Sequence, residues 1–214
     1  MQAKRILLTI VAILDWFALA AQFYLILENR VASIPETIIR YFGFFTILTN
    51  LLVALCCTFL LLKSNSYIAR FFSKNGTITA IAAYITIVGI VYNLILRFLW
   101  NPKGLEQVVD ELLHTMIPIL FVLTWLVFIP KATLKWSNIL SWLIFPFLYL
   151  IYILIRGLSA GYYPYPFLDV RQLGYNKVFL NSLGVLAAFL VVSILFIAID
   201  RFIKRRPPIN MPSA

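Results

Sequence analysis

Six long apolar segments, separated by short polar connections, constrain the fold of this chain more than any other feature of its sequence. The segments run over residues 6–27, 41–62, 77–100, 112–130, 138–157 and 177–199. Each has about the 20 apolar residues that a helix needs to cross a bilayer. The sequence therefore predicts an all-α fold, an integral membrane bundle of six helices that forms one domain over residues 1–214.

The composition supports this interpretation. Hydrophobic residues make up 63% of the chain and charged residues only 12%, and a soluble domain of this size has no interior large enough for that much apolar surface. The first apolar segment has the length of a span and lacks a small-residue cleavage pattern. We therefore expect it to remain as a helix, not to be removed as a signal peptide.

Charged and metal-binding residues exclude several classes of function. The net charge of +10 is spread over the ends of the spans instead of forming one patch, so nucleic acid is not an expected partner. A single histidine and two adjacent cysteines do not make a zinc or haem site. No phosphate-binding loop or serine nucleophile motif is present in the sequence, and we expect no metal and no cofactor.

The basic residues also predict the orientation of the bundle, because cytoplasmic loops are enriched in Lys and Arg. One side of the membrane would carry most of them: Lys4, Arg5, Lys63, Arg70, Lys74, Lys131, Lys135, Arg201, Lys204, Arg205 and Arg206. This distribution predicts that both termini are cytoplasmic. The fifth connection, which is rich in Tyr and Pro, would then lie outside.

Several polar side chains lie within the apolar segments, where they are costly and usually face the interior of a bundle. They are Asp15, Thr46, Thr49, Asn50, Asn93, Arg97, His114 and Arg156. With the predicted orientation, Thr46, Asn50, Arg97, His114 and Arg156 fall at similar depth in the outer half of the membrane. The sequence thus predicts a polar pocket there, built from five different positions in four spans.

Each of these residues also has a purely structural explanation. The two arginines can extend to the headgroups, and Thr46 and Asn50, four residues apart, can form hydrogen bonds between helices. Asp15 lies in the middle of a span and needs a partner, which can be structural. Asp110 precedes His114 by four residues on the same helical face, where it can orient the ring or raise its pKa.

Three stretches together carry a resemblance to a known family. They are "RYFGFFTILTNLLVALCC" with Thr46, "LLHTMIPIL" with His114, and "GYYPYPFLD" before the last span. In this order, and with six spans at this spacing, they resemble the androgen-induced-protein family of six-span membrane hydrolases and its bacterial relatives. The resemblance implies a multi-pass protein of a bacterial plasma membrane.

Members of that family hydrolyse fatty-acid esters of hydroxy fatty acids with a Thr nucleophile and a His inside the membrane. The resemblance therefore implies a lipid ester or fatty-acid-ester substrate, with Thr46 as nucleophile and His114 as general base. Thr49, one turn later, is the alternative nucleophile. Asn50 is a candidate donor to the oxyanion, and Arg97 or Arg156 is a candidate for binding a carboxylate at the head of the substrate.

Two other hypotheses remain open at this point. The same polar pocket can belong to a non-enzymatic protein that binds or transports a lipid or small molecule. The polar residues can also serve only to specify helix packing in a scaffold. Asp15, Thr49, Asn93 and Asp110 complete the set of candidate site residues.

Overall fold

The computed structural model describes residues 2–62 and 64–203, which form eight helices and no strand. Six of the helices are long and apolar enough to cross a membrane, and this confirms the predicted all-α fold with six spans. These six are α1 (Gln2–Glu28), α3 (Phe45–Leu62), α5 (Asn75–Leu96), α6 (Leu105–Phe128), α7 (Asn138–Ala160) and α8 (Val170–Phe202). Two short helices, α2 (Ile34–Gly43) and α4 (Tyr67–Phe72), lie in the first and second connections.

The six long helices form a bundle in which α5 is the most enclosed. Helix α1 packs along α3, and α5 contacts α3, α6 and α8. Helix α7 lies at the periphery, where large apolar side chains such as Ile144, Phe147, Leu148 and Ile155 are exposed. Apolar side chains in such numbers on the outer surface mark an integral membrane protein.

The second predicted span differs from the observed helix at its start. The apolar run begins near residue 41, but Phe44 is extended, with φ −81° and ψ 126°, and separates α2 from α3. Helix α3 therefore begins at Phe45, and Thr46 lies in its first turn. Amides in the first turn of a helix have no acceptor within that helix, so the break exposes hydrogen-bond donors inside the apolar region.

Two π-helical turns face each other in the bundle, one at Tyr92–Leu96 in α5 and one at Leu112–Met116 in α6. Pro118 follows the second turn and lacks the N–H that would bond to the His114 carbonyl. The Asn93 side chain instead approaches that carbonyl at 3.4 Å and donates to Gly89 O at 2.9 Å. Such turns are rare and often mark functional sites.

The connection between α6 and α7 is held to the end of α8 by one carboxylate. Asp200 Oδ2 accepts hydrogen bonds from the amides of Thr133 and Leu134, at 3.0 and 2.9 Å. The connections before α3, α6 and α8 lie at the other end of the bundle, which we call the site end. Lys63, Lys204, Arg205 and Arg206, which contribute to the predicted orientation, lie outside the described residues.

Candidate active site

The His114 ring is oriented by its neighbours on α6 and α5. Its Nδ1 lies 2.9 Å from the Asp110 carbonyl oxygen and 3.1 Å from Asp110 Oδ1. The Tyr92 ring stacks on the imidazole with a centroid distance of 4.0 Å, and its hydroxyl donates to Asp110 Oδ2. Because Nδ1 faces two acceptors, it carries the proton of the neutral ring, and Nε2 is left as the acceptor.

Thr46 is placed by the first turn of α3. Its amide donates to the Tyr165 hydroxyl at 3.3 Å. Threonines elsewhere in the helices, at 9, 58, 79, 86 and 124, donate to the carbonyl four residues earlier. Among the described residues, Thr46 Oγ1 has no such bond, since the corresponding carbonyl belongs to Phe42, beyond the break at Phe44. Its hydroxyl is thus not committed to the backbone.

Tyr165 joins the fifth connection to this turn. It stacks on Phe167, with ring centroids 5.3 Å apart, and it is followed by the one-turn 3₁₀ helix Pro166–Leu168. Burial raises the pKa of the Tyr165 phenol, and the hydrogen bond from the Thr46 amide opposes this rise. The phenol therefore keeps its proton at neutral pH and can donate it.

Two cavities meet at these side chains. The first, which we call the apolar cavity, has a volume of about 670 Å³ and lies among α5, α7 and α8. The second, which we call the vestibule, has a volume of about 510 Å³ and lies at the site end, among the first, third and fifth connections. Four residues line both: Thr46, Leu96, His114 and Tyr165.

We infer that the apolar cavity opens sideways between α7 and α8, because several of its lining side chains are also exposed on the outer face of the bundle. They include Phe147 and Leu158 of α7 and Tyr175, Phe179 and Leu183 of α8. Both volumes fall in the range of ligand-binding pockets.

The two candidate nucleophiles have different surroundings. Thr46 lines both cavities, and its residue is 7% exposed. Thr49 is fully buried and lines neither cavity, and its Oγ1 has no hydrogen-bond partner among the described residues. Only Thr46 can therefore reach a molecule in either cavity. No hydrogen bond joins Thr46 Oγ1 to His114 in the described part of the chain, so a substrate or water atom must lie between them for a proton to pass.

The sequence suggested Asn50 as a donor to the oxyanion, but in the structure its side chain has other partners. Its Nδ2 donates to the carbonyl oxygens of Thr46, at 2.8 Å, and Leu113, at 3.2 Å. Both of its donor hydrogens are thus used, and the residue lines neither cavity. Asn50 ties the turn that carries Thr46 to the turn that carries His114, and this bridge sets their relative position.

The two arginines predicted for the pocket are paired elsewhere at the site end. Arg97 forms an ion pair with Glu111 and a hydrogen bond to Asn93 Oδ1. Arg156 pairs with Glu36, which also binds Arg40. Neither Arg97 nor Arg156 lines the apolar cavity or the vestibule. They are therefore not placed to bind the head of a substrate in either cavity.

Asp15 lies apart from the site. It is fully buried on α1, lines neither cavity, and neither of its carboxyl oxygens has a hydrogen-bond partner among the described residues. Asn93, by contrast, belongs to the support of the site through its contact with the His114 carbonyl. Asp110 lies where the sequence suggested, against the imidazole.

Sequence reasoning missed Tyr165 and Tyr92. The Tyr/Pro-rich connection was identified as a motif, yet nothing in its composition says which tyrosine turns inward. Tyr92 lies eighteen residues before Asp110, and no local pattern connects the two. The chain matches no family model, no curated protein and no solved structure.

Proposed function

We propose that the protein is a membrane-embedded hydrolase that cleaves a lipid ester, with Thr46 as nucleophile and His114 as general base. The observation that carries the proposal is that both side chains line the same two cavities at their junction. The orientation of His114 by Asp110 adds support, since a fixed imidazole with a free Nε2 is what proton transfer from a hydroxyl requires. The resemblance implies the same two residues.

The chemistry proceeds in two steps. Thr46 Oγ1 attacks the ester carbonyl carbon while its proton passes through an intervening water to His114 Nε2; the ester C–O bond then breaks, and the imidazolium returns the proton to the leaving alcohol oxygen. Water next attacks the acyl carbon and gives a proton to His114. Oγ1 leaves the acyl carbon and takes this proton, which restores Thr46 and releases the fatty acid.

The negative charge on the tetrahedral intermediate needs hydrogen-bond donors. Tyr165 is the best-placed side chain, because its oxygen accepts the Thr46 amide and its proton stays available. The position of Thr46 at the N-terminus of α3 adds the positive end of the helix dipole. Tyr165 takes the role that the sequence suggested for Asn50.

The two cavities give the substrate and the water separate routes. The seam between α7 and α8 lets an acyl chain enter from the lipid into the apolar cavity. The vestibule, which contains polar residues such as Gln22, Asn29 and Glu106, supplies water and takes up the alcohol. An ester bond at the junction would then lie beside Thr46 and His114.

Covalent labelling tests the proposal. A long-chain alkyl fluorophosphonate should label the wild-type protein in detergent, and Thr46→Ala and His114→Ala should each reduce labelling and ester turnover by at least about a hundredfold. Thr49→Ala is the matched control, because Thr49 does not reach either cavity, and it should label normally. Thermal unfolding curves establish that all variants are folded.

Full labelling of the Thr46 or His114 variant would reject the assignment. If the wild-type protein binds a long-chain ester without consuming it and without being labelled, the lipid-binding alternative replaces the hydrolase.

A further inference from the structure

The vestibule has an unusual charge for a site that would receive an acidic lipid. Among the described residues that line it, two are carboxylates, Glu106 and Asp110, and none is Lys or Arg. Asp110 is engaged by Tyr92 and His114. Glu106 accepts one hydrogen bond, from Asn29 Nδ2 at 3.0 Å, and remains the main charge that a bound molecule would meet.

Four basic side chains close to the vestibule do not line it. Arg30 and Lys103 follow the lining residues Asn29 and Pro102 but are exposed. Arg40 lies over the ring of Tyr162 at 4.2 Å, but its Nε is bound to Glu36. Arg97 is held by Glu111 and Asn93. Since none of the four lines the vestibule, a carboxylate bound there would face Glu106 without a cation in the lining to pair with it.

The groups that remain suit a neutral, hydroxyl-rich molecule. Gln22 and Asn29 carry amides and Tyr162 a phenol, and all three line the vestibule. The apolar cavity is bordered mainly by Leu, Val, Ile and Phe side chains and suits the acyl chain. An ester lying across the junction would thus have its acyl chain in the membrane and its alcohol in the vestibule.

We propose that the alcohol part of the substrate is a small uncharged polyol, as in a monoacylglycerol, and that lipids with a free carboxylate at this end are rejected. The ester linkage in this statement rests on the proposed function, whereas the preference of the vestibule does not need catalysis. The proposal departs from the hydroxy-fatty-acid esters that the resemblance implies, because those esters carry a free carboxylate.

Two non-hydrolysable ethers test the preference directly. Hexadecylglycerol ether and hexadecyloxyacetate have the same alkyl chain and differ in the charge of their head. We expect the wild-type protein in neutral detergent near neutral pH to bind the glycerol ether roughly tenfold more tightly, as judged by Kd from intrinsic tryptophan fluorescence, since Trp100 lines the vestibule. A tenfold effect is the size expected for one close, partly screened repulsion between the Glu106 carboxylate and the carboxylate of the ligand.

Charge variants locate the cause. Glu106→Gln keeps an oxygen for Asn29 and should lower the ratio of the two Kd values by roughly three- to tenfold. Glu28→Gln is the matched control, because Glu28 is the last residue of α1, at the site end, and lines neither cavity. This variant should leave the ratio of the two Kd values unchanged.

Equal or tighter binding of the carboxylate would overturn the proposal, and so would an unchanged ratio in Glu106→Gln. If the ratio behaves as expected but Thr46 is neither labelled nor needed for turnover, the hydrolase fails while the preference of the vestibule stands.

Discussion

The imidazole of His114 is held by groups from two helices. The Asp110 carbonyl and carboxylate bind Nδ1 from one turn earlier on α6, and the Tyr92 ring covers one face from α5. Tyr92 in turn binds the Asp110 carboxylate. A ring held in this way loses little orientational freedom when a substrate arrives, which favours proton transfer.

Removal of one atom, the hydroxyl oxygen of Tyr165, tests the role of this residue. Tyr165→Phe removes the hydroxyl that accepts the Thr46 amide and, in the proposed chemistry, donates to the oxyanion. We expect kcat for ester hydrolysis to fall by about a hundredfold with little change in KM, because the interaction strengthens only in the transition state. Steady-state kinetics in detergent micelles measures both constants.

Tyr175→Phe serves as the control for that variant. Tyr175 lines the apolar cavity but is largely exposed, so loss of its hydroxyl should leave kcat near the wild-type value. Wild-type turnover by Tyr165→Phe would remove Tyr165 from the mechanism.

At the scale of single residues, part of the site can be predicted from the sequence. Loop charges alone put Thr46 and His114 at the same depth, and both line the same cavities in the structure. The arginines could not be placed, because their partners depend on elements that hydropathy does not reveal. Arg156, for example, meets Glu36 only because the short helix α2 lies beside the end of α7.

The break between α2 and α3 is the element-level feature that most affects the site. The run "RYFGFFTIL" has no charged residue after its arginine, so hydropathy predicts one uninterrupted span. Gly43 weakens the helix there, and the Tyr149 hydroxyl donates to the Gly43 carbonyl at 2.8 Å, a carbonyl left free by the break. Tertiary contacts of this kind cannot be inferred from a local pattern, whereas the six long apolar helices can.

The docking of the fifth connection on α7 depends on one glycine. A Cβ at Gly157 would overlap the Tyr163 ring, which packs directly on the helix at that point. We expect Gly157→Ala to displace the connection and with it Tyr165, two residues later, and to reduce ester turnover at least about tenfold. Activity assays and thermal unfolding of the purified variant measure the two effects.

Gly184→Ala is the matched control, because a Cβ at that helical position meets no atom within 4 Å. Alanine favours a helix over glycine by about 1 kcal/mol, so this variant should be as active as the wild type and at least as stable. Equal activity of both alanine variants would show that the connection does not need the glycine.

Across the whole molecule, charge is distributed unevenly between the two ends of the bundle. Among the described residues, the end opposite the site carries bases such as Arg70, Lys131, Lys135 and Arg201 with one acid, Asp200. The site end carries acids such as Glu36, Glu106 and Glu111 together with bases such as Arg30 and Lys103. This uneven distribution is the one from which the orientation was predicted. That both termini face the cytoplasm stays a prediction.

Glu36, Arg40 and Arg156 form an ion cluster at the site end. This cluster predicts how the free energy of unfolding depends on pH. The hydrogen bond from Arg40, with the charge of Arg156, holds the pKa of Glu36 below its usual value of 4.5. The Glu36 carboxylate thus binds a proton less readily in the folded protein than in the unfolded chain. The stabilisation is present above about pH 4.5 and is lost as the pH falls through the lower, folded-state pKa.

Glu36→Gln should abolish this contribution. We expect the Tm of the variant to lie about 2–4 °C below the wild type near neutral pH, as for a loss of about 1 kcal/mol, and the two values to converge as the pH approaches roughly 3. Thermal unfolding in detergent at a series of pH values measures this. A constant difference at all pH values would show that Glu36 acts through packing instead of charge.

The two facing π turns determine how the gene tolerates the deletion of a single codon. Each π turn contains about one residue more than the α-helical turn it replaces, so each is equivalent to a single inserted codon. Deleting one codon within 92–96 or 112–116 would restore an ordinary helix and rotate the part of the helix before the deletion by about 100° relative to the part after it. Tyr92 and His114 would then no longer face each other. The reading frame would survive such a deletion, and every hydropathy feature of the chain would persist, yet the site would be gone.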